Sequence, residues 1–198
     1  MVPIPPPPLL ILASSSPYRR ELLTRLQIPF QWQAPDIDET PSVDEPPPAT
    51  ALRLAREKAK AVAQAHPQAL IIGSDQVAER EGCAISKPEN HAAAVEQLTW
   101  ASGRQLQFHT GLCLLDTRSG ITHDALVTVV VQYRHLSAAQ IERYLRKDQP
   151  YDCAGSGRIE TLGISLVERV ISEDPTALIG LPLITLTTLL QNCGLNVP

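Results

Sequence analysis

Apolar runs, and the polar positions that interrupt them, divide this chain into alternating strand-like and helix-like stretches. Residues 9–13, LLILA, form the short unbroken apolar run of a buried strand. Ser16 then offers a helix cap, Pro17 suits a first turn, and Leu22, Leu23 and Leu26 recur on one helical face. FQWQAP (30–35) alternates and predicts a strand, and DIDETPSVDEPPP (36–48) predicts an acidic, proline-rich loop. A helix is expected over 49–65, with Leu52, Ala55, Ala59 and Val62 on one face.

ALIIGSDQVAERE (69–81) starts as a buried strand, meets a polar tip and continues, and EGCAIS suggests a hairpin return. A helix over 89–102 ends near Gly103. Residues 105–115 and 123–133 alternate, are rich in Val and Leu, and flank DTRSG, the pattern of a long antiparallel hairpin. Ser137 caps a helix over 137–147, a strand is expected over 163–172, and a closing helix over 181–194 meets Gly194 at its end. Strands and helices are mixed and one pair is a hairpin, so the fold class is α/β with a mixed sheet and flanking helices.

With 198 residues, the chain suits one medium-sized domain, taken as residues 9–198 after a flexible proline-rich tail at 1–8. The tail, MVPIPPPP, has neither the basic start nor the apolar core of a signal peptide. Nor does any stretch reach the roughly 18 apolar residues of a membrane helix. The net charge of −4 argues against a duplex-binding surface, so local basic clusters suit a small anionic ligand. Cys83, Cys113, Cys153 and Cys193 are far apart and form no CxxC, so reduced thiols in the cytoplasm are expected.

Several stretches carry candidate chemistry. SSSPYRR (14–20) places hydroxyls, a helix N-terminus and two guanidiniums at one junction, which suits phosphate. Well-capped helices with solvated arginines read the same way. In GSDQV (73–77), Asp75 follows an apolar strand, where it can hold a divalent metal or activate water, or simply end the strand in a turn. Lys87 in SKP and the carboxylates of IDET (37–40) are further candidates, for phosphate and for metal, and equally ordinary loop residues. In LAREKAKA (54–61), Lys58 and Lys60 lie on different helix faces, so at most one aims inward. YDCAGSGRIETLGI (151–164) is rich in glycine and holds Arg158 and Glu160. Together these cations, acidic positions and tight turns fit polyphosphate chemistry. The P-loop pattern GxxxxGK[ST] does not occur, nor does GxGxxG or GxSxG.

In order, LILASSSPYRRELL, APDIDET, LAREKA, LIIGSDQV, SKP, QLTWASGRQLQFHTGL, YDCAGSGRIETLGI and LIGLPLITL resemble the Maf family of nucleoside triphosphate pyrophosphatases, from about residue 9 to residue 190. The resemblance implies an elongated, two-lobed, ITPase-like fold with a central cleft. It implies hydrolysis of a nucleoside triphosphate to the monophosphate and pyrophosphate with a divalent metal, Mg²⁺ or Mn²⁺. Asp75 matches the proton acceptor. Arg19, Glu39, Lys58 and Lys87 match charged positions around the phosphates, with Asp75 and Glu39 as metal ligands. Ser14 and Ser16 would join Arg19 in holding the substrate. A homodimer would fit the family.

SDQV and CAGS resemble the branch that hydrolyses 7-methyl-GTP. The pyrimidine branch typically reads SDTV, with a basic residue at the position of Tyr18 and a glutamine at that of Glu160. Here Tyr18, Gln76 and Glu160 stand at those positions. An aromatic face attracts the cationic 7-methylguanine ring, by about 0.5–2 kcal/mol, and a carboxylate can accept from its N1–H and amine. The branch usually carries tryptophan at Tyr18 and Phe-Lys-Ser-Glu-Gly after CAGS, where this chain has Gly157, Arg158, Ile159, Glu160 and Thr161. Alternatives are a dTTP- or UTP-hydrolysing relative, and a nucleotide-binding regulator of cell division that docks partners through its proline-rich tail.

Overall fold

The computed structural model describes residues 8–197. The expected tail at 1–8 lies, apart from Pro8, outside the described residues. The elements run β1 (Leu9–Ala13), α1 (Pro17–Thr24), β2 (Gln31–Gln33), α2 (Pro47–Ala63), β3 (Ala69–Arg80), β4 (Cys83–Ile85), α3 (His91–Ala101), β5 (Gln105–Asp116), β6 (Ile121–Tyr133), α4 (Ala138–Asp148), β7 (Val167–Ile171) and α5 (Leu183–Asn192). One mixed sheet has the order β2-β1-β3-β5-β6-β7, with β4 on the far end of β3. β1 is parallel to β2 and β3, and the remaining pairings are antiparallel.

The long strands β3, β5 and β6 run through two lobes. In the first, alternate side chains sort to opposite faces of the sheet, as the two-residue period requires. Leu10, Leu12, Leu70, Ile72, Leu112 and Leu114 meet leucines of α1 and α5. Ile11, Ala13, Ala69, Ile71 and Cys113 meet Ala55, Ala59 and Val62 of α2. In the second lobe, Leu106, Phe108, Val129, Val131 and Tyr133 pack with Leu98 of α3 and with Ile141, Tyr144 and Leu145 of α4. The mixed sheet, flanking helices and two lobes are those expected.

Three expectations change. The strand read over 30–35 keeps only Gln31–Gln33, exposed at the sheet edge. The strand read over 163–172 begins at Val167, because Leu162–Leu166 turns as a 3-10 helix around Gly163, whose N–H donates to Arg158 O at 3.0 Å. α2 starts at Pro47, because two prolines sit comfortably in a first turn, where a missing N–H leaves no bond unmade. β3 runs on through Asp75 to Arg80, as read for 69–81, so the alternative of Asp75 as a strand-end turn residue falls away.

Candidate active site

β3 holds the site because its neighbour changes along its length. β1 pairs with it up to Gly73, and β4 takes over only at Ala78. Among the described residues, nothing pairs with Ser74–Val77 on that edge, while β5 continues unbroken along the other. The result is a notch in the sheet that opens into a cavity of about 570 Å³. Ser14, Ser16, Tyr18, Arg19, Glu39, Lys58, Asp75, Gln76, Lys87 and Glu160 all line it. Positions read as separate candidates along the chain therefore converge on one space.

Asp75 is 7% exposed at the floor of the notch. Lys58 reaches it from α2, with Nζ donating to Asp75 Oδ1 at 2.6 Å. Gly73 and Gly111 explain the reach. A Cβ on Gly73 would strike the Ala55 carbonyl, and one on Gly111 the Ala51 backbone. With Ala51, Ala55 and Ala59 facing them, α2 lies flat on the sheet and Lys58 extends into the notch, 4% exposed. Lys60 points to solvent, as the one-inward rule expects.

Lys58 Nζ also pairs with Glu39 Oε1 at 2.8 Å. Partial withdrawal from water raises the Glu39 carboxyl, but the Lys58 hydrogen bond and the charges of Lys58, Arg19 and Lys87 outweigh this and hold it below the ordinary glutamate value. The loop that carries Glu39 is fastened by a pair not singled out in the sequence. Glu45 accepts from Arg53 Nε and Nη2 at 2.7 and 2.8 Å, from the Ser42 N–H and from the Thr50 hydroxyl. Arg53 Nη2 also donates to Thr40 O at 3.2 Å.

The serine-rich junction is both a cap and a lining. Ser16 Oγ accepts from the Arg19 N–H, and Ser14 Oγ accepts from the Ser16 N–H. Arg19 is anchored by Nε to Gly180 O at 2.8 Å, and among the described residues Nη1 and Nη2 have no hydrogen-bond partner. Arg20 leaves the site and stacks over Trp32, 4.1 Å from the ring centroid. The turn beneath Arg19 is clamped to β3 and β5: Ser74 Oγ donates to Gly180 O, Thr110 Oγ1 to Ala177 O, and Gln76 Nε2 to the Ala177 and Leu178 carbonyls. With its N–H groups committed there, Gln76 has its carbonyl oxygen left for a ligand.

Tyr18 and Glu160 both line the cavity. Burial raises the Glu160 carboxyl above its ordinary value. Tyr18 OH donates to Asp152 Oδ2 at 3.2 Å, a partner its turn-rich setting did not flag in sequence. As to metal, no cluster of three or more His, Cys, Asp or Glu side chains occurs among the described residues. Two carboxylates, Asp75 and Glu39, meet at the Lys58 ammonium, each through one oxygen. That donor set fits Mg²⁺ or Mn²⁺, which bind through one or two carboxylates and complete their shell with water and substrate phosphate.

A family model described as Maf-like protein matches residues 9–193. Among relatives, the 7-methyl-GTP pyrophosphatase of Cupriavidus metallidurans is 57% identical over 185 residues, 93% of either chain. The 7-methyl-GTP pyrophosphatase of Nitrosospira multiformis is 54% identical over 188 residues, 95% of either chain. Among solved structures, the Staphylococcus aureus Ham1 protein is a partial likeness only, at a TM-score of 0.46 and 17% identity over 64% of this chain and 72% of that one. The matched span takes in both lobes and the whole notch between them, and the chain belongs to the Maf family.

Proposed function

We propose that this chain is a nucleoside triphosphate pyrophosphatase that hydrolyses 7-methyl-GTP to 7-methyl-GMP and pyrophosphate. The observation that carries the reading is the convergence of Asp75, Glu39, Lys58, Lys87 and Arg19 on a cavity that also holds Tyr18 and Glu160. The names borne by its relatives support the same substrate.

In this reading Arg19, Lys87 and the serines of the α1 junction hold the triphosphate. Asp75 Oδ2, the oxygen turned away from Lys58, takes a proton from water as the water oxygen attacks the α-phosphorus. The bond from that phosphorus to the bridging oxygen breaks, and pyrophosphate leaves with the electron pair. Fixed cations aimed at the developing charge lower the barrier most, which is the role of Lys58, Lys87 and Arg19. Asp75 and Glu39 would hold a divalent cation, which when bound polarises phosphate oxygens and acidifies water. Tyr18 offers its face to the cationic base, and Glu160 offers an anionic acceptor.

The test is pyrophosphate release from 7-methyl-GTP, GTP, dTTP and UTP with Mg²⁺ or Mn²⁺. The expected result is preference for 7-methyl-GTP, loss of turnover on chelation and its return with added metal. Preference for dTTP or UTP overturns the base assignment, and release from none of them overturns the reaction. No described helix is long and apolar enough to cross a membrane. The reading carries a cytoplasmic setting for the four free cysteines, and a homodimer that light scattering would detect.

A further inference from the structure

Next to Tyr18 the structure holds a charge that opposes the proposed substrate: Arg158 does not itself line the cavity, but Asp152, Cys153 and Gly157 beside it do. The Arg158 guanidinium lies 5.6 Å from the Tyr18 ring centroid. A cationic base stacked on that ring would meet a second cation, whereas neutral guanine would not. The structure also contains the compensation. Asp152 Oδ1 accepts from Arg158 Nη2 at 3.1 Å and from Cys153 Sγ at 3.5 Å, and Oδ2 accepts from Tyr18 OH at 3.2 Å. One carboxylate therefore bridges the guanidinium and the aromatic beside it. Asp148 pairs with Arg158 more loosely, at 3.9 Å, and accepts from the Tyr144 and Thr161 hydroxyls. Asp152 lines the cavity and Asp148 does not.

We propose that Asp152 is a specificity-determining residue: by binding Arg158 and Tyr18 together it cancels the guanidinium charge beside the base and so selects a positively charged base over its neutral counterpart. This rests on the reading of the cavity as the site of a nucleoside triphosphate pyrophosphatase. The ionic state fits. Burial raises the Asp152 carboxyl, but hydrogen bonds from Cys153 and Tyr18 and the charge of Arg158 hold it below the ordinary aspartate value. Burial, helped by the Asp152 charge, raises the Tyr18 phenol, which stays a neutral donor.

Asp152→Asn keeps the shape and removes the charge, and Arg158→Gln removes the opposing cation. The experiment measures kcat/KM for 7-methyl-GTP and for GTP with the full-length chain and both variants, with far-UV circular dichroism as the check on folding. For Asp152→Asn, the 7-methyl-GTP to GTP ratio should fall by roughly three- to tenfold, the scale of one solvent-screened charge at contact distance, through a higher KM for 7-methyl-GTP. For Arg158→Gln, the ratio should rise. A purely structural role for Asp152 would lower both substrates equally and leave the ratio unchanged, which overturns the inference. If Asp152→Asn does not fold, an unchanged ratio in Arg158→Gln overturns it. A wild-type chain with no preference for 7-methyl-GTP overturns the functional reading itself and this inference with it.

Discussion

Lys58 and Asp75 stand 17 residues apart in sequence, on a helix and on a strand, yet Lys58 Nζ is 2.6 Å from Asp75 Oδ1. Both are nearly withdrawn from solvent, and Glu39 meets the same ammonium from a loop. A buried ion pair of this kind is weak evidence for stability, because desolvation offsets much of its attraction. Its presence in a notch of the sheet is better explained by chemistry. Asp75→Asn should lower kcat by about 100-fold or more, the usual scale for losing a general base, with a melting temperature close to that of the parent. Lys58→Met should lower both activity and melting temperature, since it leaves two carboxylates facing each other. Full turnover in folded Asp75→Asn would remove Asp75 from the mechanism.

The same pair depends on two glycines. A methyl group on Gly111 would fall on the Ala51 backbone, so α2 must lift from the sheet and take Lys58 with it. Gly111→Ala should cost about 1–3 kcal/mol, as overpacked cores do, and should lower kcat as well. Gly82, with φ +84° and open space around it, is the control: Gly82→Ala should strain the β3–β4 turn by about 1–2 kcal/mol and leave kcat unchanged. Chemical denaturation with steady-state kinetics separates the two. Unchanged kcat in Gly111→Ala would show that the site does not need the close approach.

Where partners are close in sequence, the chain was readable. Ser16 as cap and Pro17 in the first turn follow from adjacent residues. The family pattern led to Asp75, Lys58, Glu39 and Lys87, but not to their arrangement. The run 69–81 reads as one strand, but the notch at Asp75 exists only through the register of β1 and β4 on β3, which no local pattern encodes. Arg19 and Arg20 are equivalent in sequence, and only the distant partners Gly180 and Trp32 tell them apart. Asp152 was hidden in a glycine-rich turn, because its role depends on Tyr18, on a different element.

The acidic loop over 36–48 should carry a pH dependence. The Arg53 hydrogen bonds lower the Glu45 carboxyl to about 2 against partial desolvation. Because the folded value lies below the ordinary one, the unfolded chain takes up the proton first as pH falls. The contribution of Glu45 is then complete above about pH 4.5 and lost as pH falls toward 2. Glu45→Gln should destabilise the chain by a constant amount from pH 5 to 8, with the difference from the parent shrinking in acid. It should also raise the metal concentration needed for half-maximal activity, because the loop holding Glu39 is no longer fastened. A difference that grew in acid would contradict the assignment.

Asp174 is 2% exposed and ties the turn beneath Arg19 to α5. Its Oδ1 accepts from the Thr176 hydroxyl at 2.7 Å, and its Oδ2 accepts from the N–H groups of Ile184 and Thr185 at 2.8 and 3.1 Å. It thus caps a helix that begins nine residues later in the chain, where Pro182 provides no side-chain cap. Asp174→Ala leaves two helix N–H groups unpaired in a buried place and should cost about 2–4 kcal/mol. Asp174→Asn should recover only part of this, since one of its two ends presents N–H groups to donors. The turn carries the Gly180 carbonyl that anchors Arg19, so loosening it should raise KM for the triphosphate more than it lowers kcat. A destabilised Asp174→Ala chain with unchanged KM, measured well below its melting temperature, would show that Arg19 is placed without this turn.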